Sequence, residues 1–181
     1  MKFIKQNIDG VYLIQPEPFE DKRGMLRRNY CKKELKTNSI NFDIKQINVS
    51  ENIKKYTLRG FHYQKKPYGE DKIISCINGA IYDIVLDLRE DSKTYKSWES
   101  YELTQKNRMS IIVPKGCANA YLTLENNTWI LYYHSEYYKK RSEKRIRYND
   151  PTFNFRWPNI PKVISDEDLN ANNFNPKKIK N

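Results

Sequence analysis

Short segments rich in β-branched and aromatic residues, separated by turn residues, recur along the whole chain and constrain its fold more than any other feature. The clearest example lies at residues 72–88, where KIISCI and AIYDIVLDL flank the pair Asn78-Gly79. An Asn-Gly pair between two such runs favours a two-residue type I′ turn. We therefore predict a β-hairpin here, in which Ile77 pairs with Ala80.

The register of this predicted hairpin decides which residues share a face. Ile74 is then expected opposite Asp83, and Lys72 opposite Val85, because side chains alternate between the two faces of a strand. The face is apolar except for Lys72 and Asp83, which makes these two charged residues candidates for a functional site. The predicted face consists of Lys72, Ile74, Cys76, Ile81, Asp83 and Val85.

The remaining segments predict an all-β fold with few short helices. Many short strands with Pro, Gly and Asn between them are typical of a sandwich or a small barrel. Ser165 with Asp168 fits a helix capping box, which predicts a helix over 165–169. Other helical segments are expected at 32–37 and near 104–107. Further strands are predicted at 11–15, 25–30, 44–50, 57–64, 98–103, 109–113, 121–124 and 128–135.

Length and composition predict a single cytoplasmic domain covering residues 1–181. A chain of 181 residues can bury about two-thirds of its unfolded surface, and no repeat or low-complexity linker divides it. Cys31, Cys76 and Cys117 show no C-x-x-C spacing, and we expect no secretory leader and no membrane span, because no apolar run approaches about 20 residues. The tail after Asn170 is expected to be disordered.

The formal net charge of +11 raises the question of nucleic-acid binding. The densest basic stretch, at 139–147, is interrupted by acid, and Lys is abundant throughout the chain. A solvated basic surface therefore explains the charge better than a nucleic-acid site. A small anionic substrate remains attractive.

Missing motifs exclude several kinds of chemistry. The chain has only two histidines and no His-x-His pair, so we expect no metal site. It contains no G-x-G-x-x-G, phosphate loop or G-x-S-x-G motif, which leaves dinucleotide cofactors and nucleophilic serine without supporting residues. Acid/base chemistry remains.

Five residues are candidates for acid/base chemistry or anion binding, and each also has a structural reading. His62 follows Gly60 on a predicted strand, and imidazole accepts a proton near neutral pH, yet a lone strand histidine is often structural. Tyr132 is one of 14 tyrosines, and Asp168 could simply serve the Ser165 cap. Arg23 and Arg59 could bind a phosphate group or could equally be cations on the protein surface. Spacing alone does not decide between these readings.

The ordered sum of several short motifs resembles the dTDP-4-dehydrorhamnose 3,5-epimerase family, from about Gly10 to Asp168. Each motif is weak alone, but their order is highly specific. The matching segments are 21–24 (DKRG), 48–50 (NVS), 58–64 (LRGFHYQ), Lys72, 79–83 (GAIYD), 87–89 (DLR) with Ser92 and Thr94, 114–116 (PKG), 131–132 (LY), 137–138 (YY), 149–151 (NDP), 157–158 (WP) and 165–168 (SDED).

The resemblance implies a cupin-type jelly roll that forms a homodimer with exchanged strands and acts without a cofactor. Its substrate is a nucleoside-diphosphate 4-keto sugar, whose ketone acidifies the hydrogens on C3 and C5. By position, the catalytic base is His62 and the acid is Tyr132, with Asp168 orienting the base and Lys72 beside the enolate oxygen. Arg23 and Arg59 resemble the family's diphosphate contacts, and the further substrate contacts that we expect are Arg28, Asn48, Gln64, Asp83, Asn119 and Tyr138.

Two residues depart from the family pattern and bear on the substrate. Asn119 replaces a common histidine, which leaves open whether C3, C5 or both are inverted, or whether the protein only binds a sugar nucleotide. Arg28 replaces a glutamate, and arginine pairs bidentately with guanine. We therefore expect a GDP-4-keto-heptose of capsule biosynthesis. The alternative substrate is the dTDP-4-keto-6-deoxyglucose of rhamnose biosynthesis.

Overall fold

Two antiparallel sheets stacked face to face form the body of the protein. The computed structural model describes residues 1–176. Within that range the strands are β1 (Lys2–Lys5), β2 (Tyr12–Gln15), β3 (Phe19–Asp21), β4 (Gly24–Leu26), β5 (Gln46–Asn52), β6 (Leu58–Gln64), β7 (Lys72–Asn78), β8 (Ala80–Asp87), β9 (Trp98–Thr104), β10 (Ser110–Val113), β11 (Cys117–Thr123), β12 (Thr128–His134) and β13 (Glu143–Arg145), and the helices are α1 (Lys32–Thr37) and α2 (Asp166–Leu169).

The strands fall into one large, one medium and one small sheet. The six-stranded sheet has the order β1-β2-β10-β7-β12-β5, and the five-stranded sheet has the order β13-β6-β11-β8-β9. Strands β3 and β4 form a separate two-stranded ribbon. Neighbouring strands are antiparallel throughout. The predicted all-β class is therefore confirmed.

The predicted hairpin at residues 72–88 is wrong, although both of its strands exist. Strand β7 pairs with β10 and β12 in the six-stranded sheet, whereas β8 pairs with β11 and β9 in the five-stranded sheet. The turn at Asn78-Gly79, where Gly79 has φ +77°, carries the chain from one sheet to the other. Both strands are almost completely buried, so each needs a partner on both edges for its backbone groups.

The inward residues of the failed hairpin nevertheless meet, because they face each other across the two sheets. One apolar cluster between the sheets contains Ile74 and Cys76 from β7 together with Ile81 and Val85 from β8. The outer faces are covered separately. Leu35 of α1 and Phe42, which follows the helix, cover the six-stranded sheet. Aromatic residues of the segment 153–157 cover the five-stranded sheet.

Helix α1 and the Ser165 cap of α2 agree with the sequence prediction, but the segment after β4 does not. Strand β4 ends at Leu26, and Asn29 instead donates a hydrogen bond to Ser75 and to Tyr133 on the outer face of the six-stranded sheet. Strands β1, β3 and β13 were not predicted.

Within residues 1–176, no helix has the length and apolar character needed to cross a membrane.

The C-terminal tail is described only in part. The ring of Phe174 packs edge-on against Phe153, with 5.0 Å between the ring centroids. Residues 177–181, which belong to the tail expected to be disordered, lie outside the described residues.

Candidate active site

A cavity of about 750 Å³ opens between the two sheets and collects most of the predicted site residues. Its lining comes from β5, β7 and β12 of one sheet and from β6, β11 and β13 of the other. Asp168 and Asp83 are not lining residues themselves, but they contact the lining residues His62 and Asn119. The predicted residues that line the cavity are His62, Tyr132, Lys72, Asn48, Arg59, Gln64, Asn119 and Tyr138.

His62 is bonded to Asp168, with 2.6 Å between the imidazole Nε2 and the carboxylate Oδ1. Burial raises the pKa of Asp168, but the hydrogen bond from His62, the amide of Gly60 and the charge of Arg145 outweigh burial and lower it overall. The carboxylate is therefore ionised and can only accept hydrogen bonds. In the neutral form of His62 the hydrogen must then lie on Nε2, which leaves Nδ1 able to take a proton.

The capping box at α2 is only half formed, because the Asp168 carboxylate contacts His62 instead of Ser165. Ser165 Oγ accepts a hydrogen bond from the amide of Asp168 at 3.2 Å, as the sequence predicts. The Asp168 carboxylate does not return to Ser165 but reaches His62 and the amide nitrogen of Gly60. Short helix α2 thus presents its one buried carboxylate to the base.

Gly60, two residues before His62, lies directly against the neighbouring strand β11. A Cβ at Gly60 would lie 2.6 Å from Ala120 Cα and 2.6 Å from the carbonyl oxygen of Asn119. Gly60 also has φ +115°. It therefore allows β6 and β11 to approach closely beside the base.

Lys72 is held by three acceptors, which matches the three donors of an ammonium group. Its Nζ lies 3.1 Å from Asn119 Oδ1, 3.3 Å from the carbonyl oxygen of His62 and 3.5 Å from Glu70 Oε1. Lys72 is 7% exposed. A buried ammonium fixed in this way presents a positive charge to the cavity at a defined place.

Asn119 links Lys72 to the buried Asp83. Its amide oxygen accepts from Lys72, and its Nδ2 donates to Asp83 Oδ1 at 3.3 Å. Asp83 is fully buried, and its Oδ2 has no hydrogen-bond partner within residues 1–176. Burial raises the pKa of Asp83 to about 8, against the smaller opposing effects of Asn119 and Lys72. This carboxyl therefore binds a proton at neutral pH.

Tyr132 faces the cavity from β12, in the sheet opposite to His62. Burial raises the pKa of Tyr132 well above its ordinary value of 10, and the neighbouring Tyr121 adds to the effect. The hydroxyl of Tyr121 lies 3.1 Å from Ser50 Oγ. Tyr132 is therefore protonated at neutral pH, which is the state that an acid requires.

The other predicted substrate residues of the cavity already have protein partners. Arg59 Nε donates to Asn52 at 2.9 Å, and the Tyr138 hydroxyl donates to Glu143 at 3.1 Å. Gln64 uses both ends of its amide on the backbone of Tyr137 and Lys139, so it positions that loop. Asn48 lies beside His134.

Arg23 and Arg28 lie apart from the cavity lining. Arg23 sits at the turn of the β3–β4 ribbon, where it pairs with Asp21 at 2.6 Å and its side chain is 81% exposed. Arg28 pairs with Glu34 at 2.5 Å. The structure of one chain therefore does not bring these two cations to the base and the acid.

Three further residues at the site escaped the sequence analysis. Arg145 Nε donates to Asp168 Oδ1 at 3.1 Å from a strand that carries no apolar signal. Glu70 and His134 pair at 2.8 Å and both line the cavity. His134 could have been found, because it is one of only two histidines and lies on the same face of a strand as Tyr132.

These groups can move protons to and from opposite faces of a bound molecule. A histidine with a carboxylate partner faces the cavity from one sheet, and a protonated tyrosine faces it from the other. A buried lysine supplies positive charge where an oxyanion would develop. Among the described residues, no group of three or more His, Cys, Asp or Glu side chains could hold a metal ion. The arrangement defines the class of acid/base enzymes built on a two-sheet β fold.

Comparison with known proteins gives the same class and a family. Residues 5–176 match the family model of dTDP-4-dehydrorhamnose 3,5-epimerase. The chain is 30% identical over 180 residues to the dTDP-4-dehydrorhamnose 3,5-epimerase of Shigella flexneri, covering 96% of each chain. The chain belongs to this family and is an isomerase of the epimerase type.

Solved structures of the family have the same fold. The dTDP-4-dehydrorhamnose 3,5-epimerase of Bacillus anthracis, with TDP and PPi bound, superposes with a TM-score of 0.93 at 36% identity, covering 96% of this chain and 99% of that one. The enzyme of Legionella pneumophila, in complex with dTDP-4-keto-L-rhamnose, gives 0.89 at 30% identity and covers 94% and 90%. The predicted cupin-type jelly roll is confirmed.

Proposed function

We propose that the protein converts a dTDP-linked 4-keto-6-deoxy sugar into its C3 and C5 epimer, the step that forms dTDP-4-dehydrorhamnose. The observation that carries the proposal is the His62–Asp168 pair, which faces the same cavity as Tyr132 from the opposite sheet. Inversion at carbon needs a base and an acid on opposite faces of the sugar ring.

The proposed reaction begins with removal of a hydrogen next to the C4 ketone. His62 takes the proton on Nδ1, and the electron pair of the broken C–H bond forms an enolate with its negative charge on O4. Asp168 stabilises the resulting imidazolium through the hydrogen bond to Nε2. Lys72 stabilises the charge on O4.

Tyr132 then returns a proton to the same carbon from the other face. The enolate electron pair forms the new C–H bond and the ketone is restored. The phenolate then regains a proton from solvent, and the His62 imidazolium gives its proton to solvent, so both groups return to their starting states. Repetition at the second carbon gives the double epimer. Since no electrons leave the substrate, the cycle balances without a redox partner.

The nucleotide in this proposal differs from the expectation drawn from Arg28. The GDP-linked heptose is not supported, because the family model and the relatives are named for dTDP sugars. Arg28, on which the guanine argument depended, is engaged by Glu34 and does not line the cavity. The dTDP sugar, first held as the alternative, is therefore the better substrate.

We also propose that the active form is a homodimer. The β3–β4 ribbon exposes Phe19 and Leu26, at 66% and 75%, and carries Arg23 at its tip. Apolar side chains this exposed on a short ribbon suit an interface. A ribbon seated on a second copy would carry Arg23 toward a diphosphate there, and light scattering of wild type and Phe19→Ser with Leu26→Ser tests the assembly.

The test of function is proton NMR of the purified protein with dTDP-4-keto-6-deoxyglucose in deuterium oxide, with a GDP-linked 4-keto sugar as comparison. We expect deuterium at C3 and C5 together with the epimerised product. His62→Asn should abolish exchange. Tyr132→Phe should still exchange deuterium while forming little inverted product, because the base remains and the acid is lost. Exchange at one carbon only would establish a mono-epimerase, and no exchange with the dTDP sugar would refute the proposal.

A further inference from the structure

A second histidine–carboxylate pair lines the cavity and has no part in the reaction just described. His134 Nδ1 lies 2.8 Å from Glu70 Oε2, and the two side chains are 13% and 9% exposed. Both histidines of the chain thus line one cavity, and each has one ring nitrogen on a carboxylate. His62 is the proposed base and Asp168 is its carboxylate partner. His134 lies on the opposite sheet.

Glu70 fixes which nitrogen of His134 carries the hydrogen. Burial raises the pKa of Glu70, but the hydrogen bond from His134 and the charge of Lys72 outweigh burial and lower it overall. Glu70 is therefore an ionised acceptor, so Nδ1 of His134 is the donor. In the neutral form of the ring, Nε2 is then left with a lone pair.

The neighbour of Nε2 is consistent with this tautomer. Asn48 Nδ2 lies 3.4 Å from His134 Nε2, while Asn48 Oδ1 accepts from Gln46 Nε2 at 3.2 Å. The amide therefore turns its donor toward the imidazole. At 3.4 Å this contact is long for a hydrogen bond, so a closer donor from a ligand would replace it at small cost.

His134 lies beside the proposed acid Tyr132 and the buried cation Lys72. The ring stacks on that of Tyr132 with 5.7 Å between centroids and 20° between planes. On the adjacent strand, Lys72 is the direct register partner of His134. A sugar placed between His62, Lys72 and Tyr132 would therefore have His134 beside it.

We propose that His134 contacts a hydroxyl group of the sugar through Nε2 and that Glu70 is its positioning residue; this inference rests on the proposed function. A lone pair on Nε2 accepts a hydrogen bond, which a hydroxyl can donate and a fully ionised phosphate cannot. The contact selects sugars that carry a hydroxyl at that carbon, since a sugar without it leaves Nε2 with only the long contact from Asn48, which costs affinity.

The experiment compares the parent substrate dTDP-4-keto-6-deoxyglucose with its 2-deoxy and 3-deoxy analogues. The rate measured is deuterium incorporation at C5, a carbon that all three sugars retain, expressed as kcat/KM. Wild type is expected to favour the parent over one of the analogues by tenfold or more, on the order of one lost hydrogen bond. His134→Leu is expected to lose that preference by slowing the parent selectively.

Conservative variants separate contact from packing. His134→Gln supplies an amide that can donate to Glu70 and present its oxygen to the sugar, so the preference should largely return. Glu70→Gln retains an acceptor for Nδ1 and should keep the preference, whereas Glu70→Leu should weaken it. Thermal unfolding of each variant identifies any loss that comes from folding.

Two results would overturn the inference. The first is equal use of all three sugars by wild type, a measurement that needs no variant to fold. The second is a wild-type preference that His134→Leu retains. Both presuppose exchange with the parent sugar. Absence of exchange in wild type would instead refute the proposed function, so the two failures are distinguishable.

Discussion

The Asp168 carboxylate holds the His62 ring through a 2.6 Å contact between Oδ1 and Nε2, and is itself fixed by other groups. Oδ1 also accepts from Arg145 Nε at 3.1 Å, and Oδ2 accepts from the amide nitrogen of Gly60 at 3.3 Å. Strand β6, strand β13 and helix α2 thus meet at one buried carboxylate. This meeting point sets the orientation and tautomer of the proposed base.

Asp168→Asn should lower kcat/KM for epimerisation by about 100-fold or more. The amide removes the negative charge that stabilises the imidazolium, and it no longer enforces a hydrogen on Nε2. Glu167→Gln is a matched control, because Glu167 lies on the same helix, is 70% exposed and pairs with Arg145 through Nη2, whereas Asp168 accepts from Nε. Equal activity of Asp168→Asn and wild type in the NMR assay would exclude the assigned role.

Arg145→Ala should move the acidic limb of the kcat/KM pH profile to higher pH. The guanidinium lowers the pKa of Asp168, so its loss lets this carboxylate take up a proton at higher pH, and a protonated Asp168 no longer supplies the negative charge that supports the base. The expected shift is less than about one pH unit, because the side chain is 29% exposed and shares its charge with Glu143 and Glu167.

Arg145→Lys is the control for charge. It keeps the positive charge beside Asp168 and should leave the acidic limb near its wild-type position. A profile for Arg145→Ala that is lower at every pH without shifting would mean that Arg145 supports only the packing of β13.

Sequence patterns predicted where the strands lie and which side chains face inward more successfully than which strands pair with each other. Alternation in β7 and β8 correctly turned Lys72 and Asp83 inward, and both now contact Asn119. Alternation cannot say which strand lies next to which, because that choice depends on burial gained by residues far apart in the chain. Asn78-Gly79 therefore suggested a hairpin where the chain changes sheets.

The parts of the site that the sequence did not reveal are contacts between distant segments. Arg145 comes from a strand of three charged residues without an apolar pattern, and it meets Asp168 from 23 positions away. Glu70 lies in a turn before β7 and reaches His134 across 64 positions. Neither pairing follows from local spacing, whereas the resemblance supplied His62, Tyr132 and Asp168 because these belong to ordered motifs.

Gly60→Ala should destabilise the protein by roughly 2–5 kcal/mol, the sum of strain at positive φ and overlap with Ala120. Gly24→Ala isolates the first effect, since Gly24 has φ +121° but nothing within 4 Å of an added Cβ. We expect it to cost only about 1–2 kcal/mol. Urea unfolding measures both variants, and equal losses would show that close approach of β11 does not matter.

Asp83→Asn should stabilise the protein at neutral pH and much less near pH 4. The pKa of Asp83 is raised from 3.8 to about 8 by burial, so folding at pH 7 requires the carboxyl to take up a proton. Its contribution to stability is complete below pH 4 and is lost as the pH rises toward 8. Asparagine resembles the protonated acid, still accepts from Asn119 and does not titrate.

The stability difference between Asp83→Asn and wild type should therefore grow between pH 4 and pH 8, by at most about 1.4 kcal/mol per pH unit. Asp87→Asn should instead lower the free energy of unfolding at neutral pH. Burial raises the pKa of Asp87, but hydrogen bonds from Arg89, Ser92 and Thr94 outweigh burial and lower this pKa to about 2. That variant should be destabilised by a constant amount between pH 4.5 and pH 7.5, and by less only below about pH 4, as the pH falls toward 2. Urea unfolding at pH 4.5, 6 and 7.5 compares the three proteins, and a pH-independent difference for Asp83→Asn would mean that Asp83 is ionised in the folded protein.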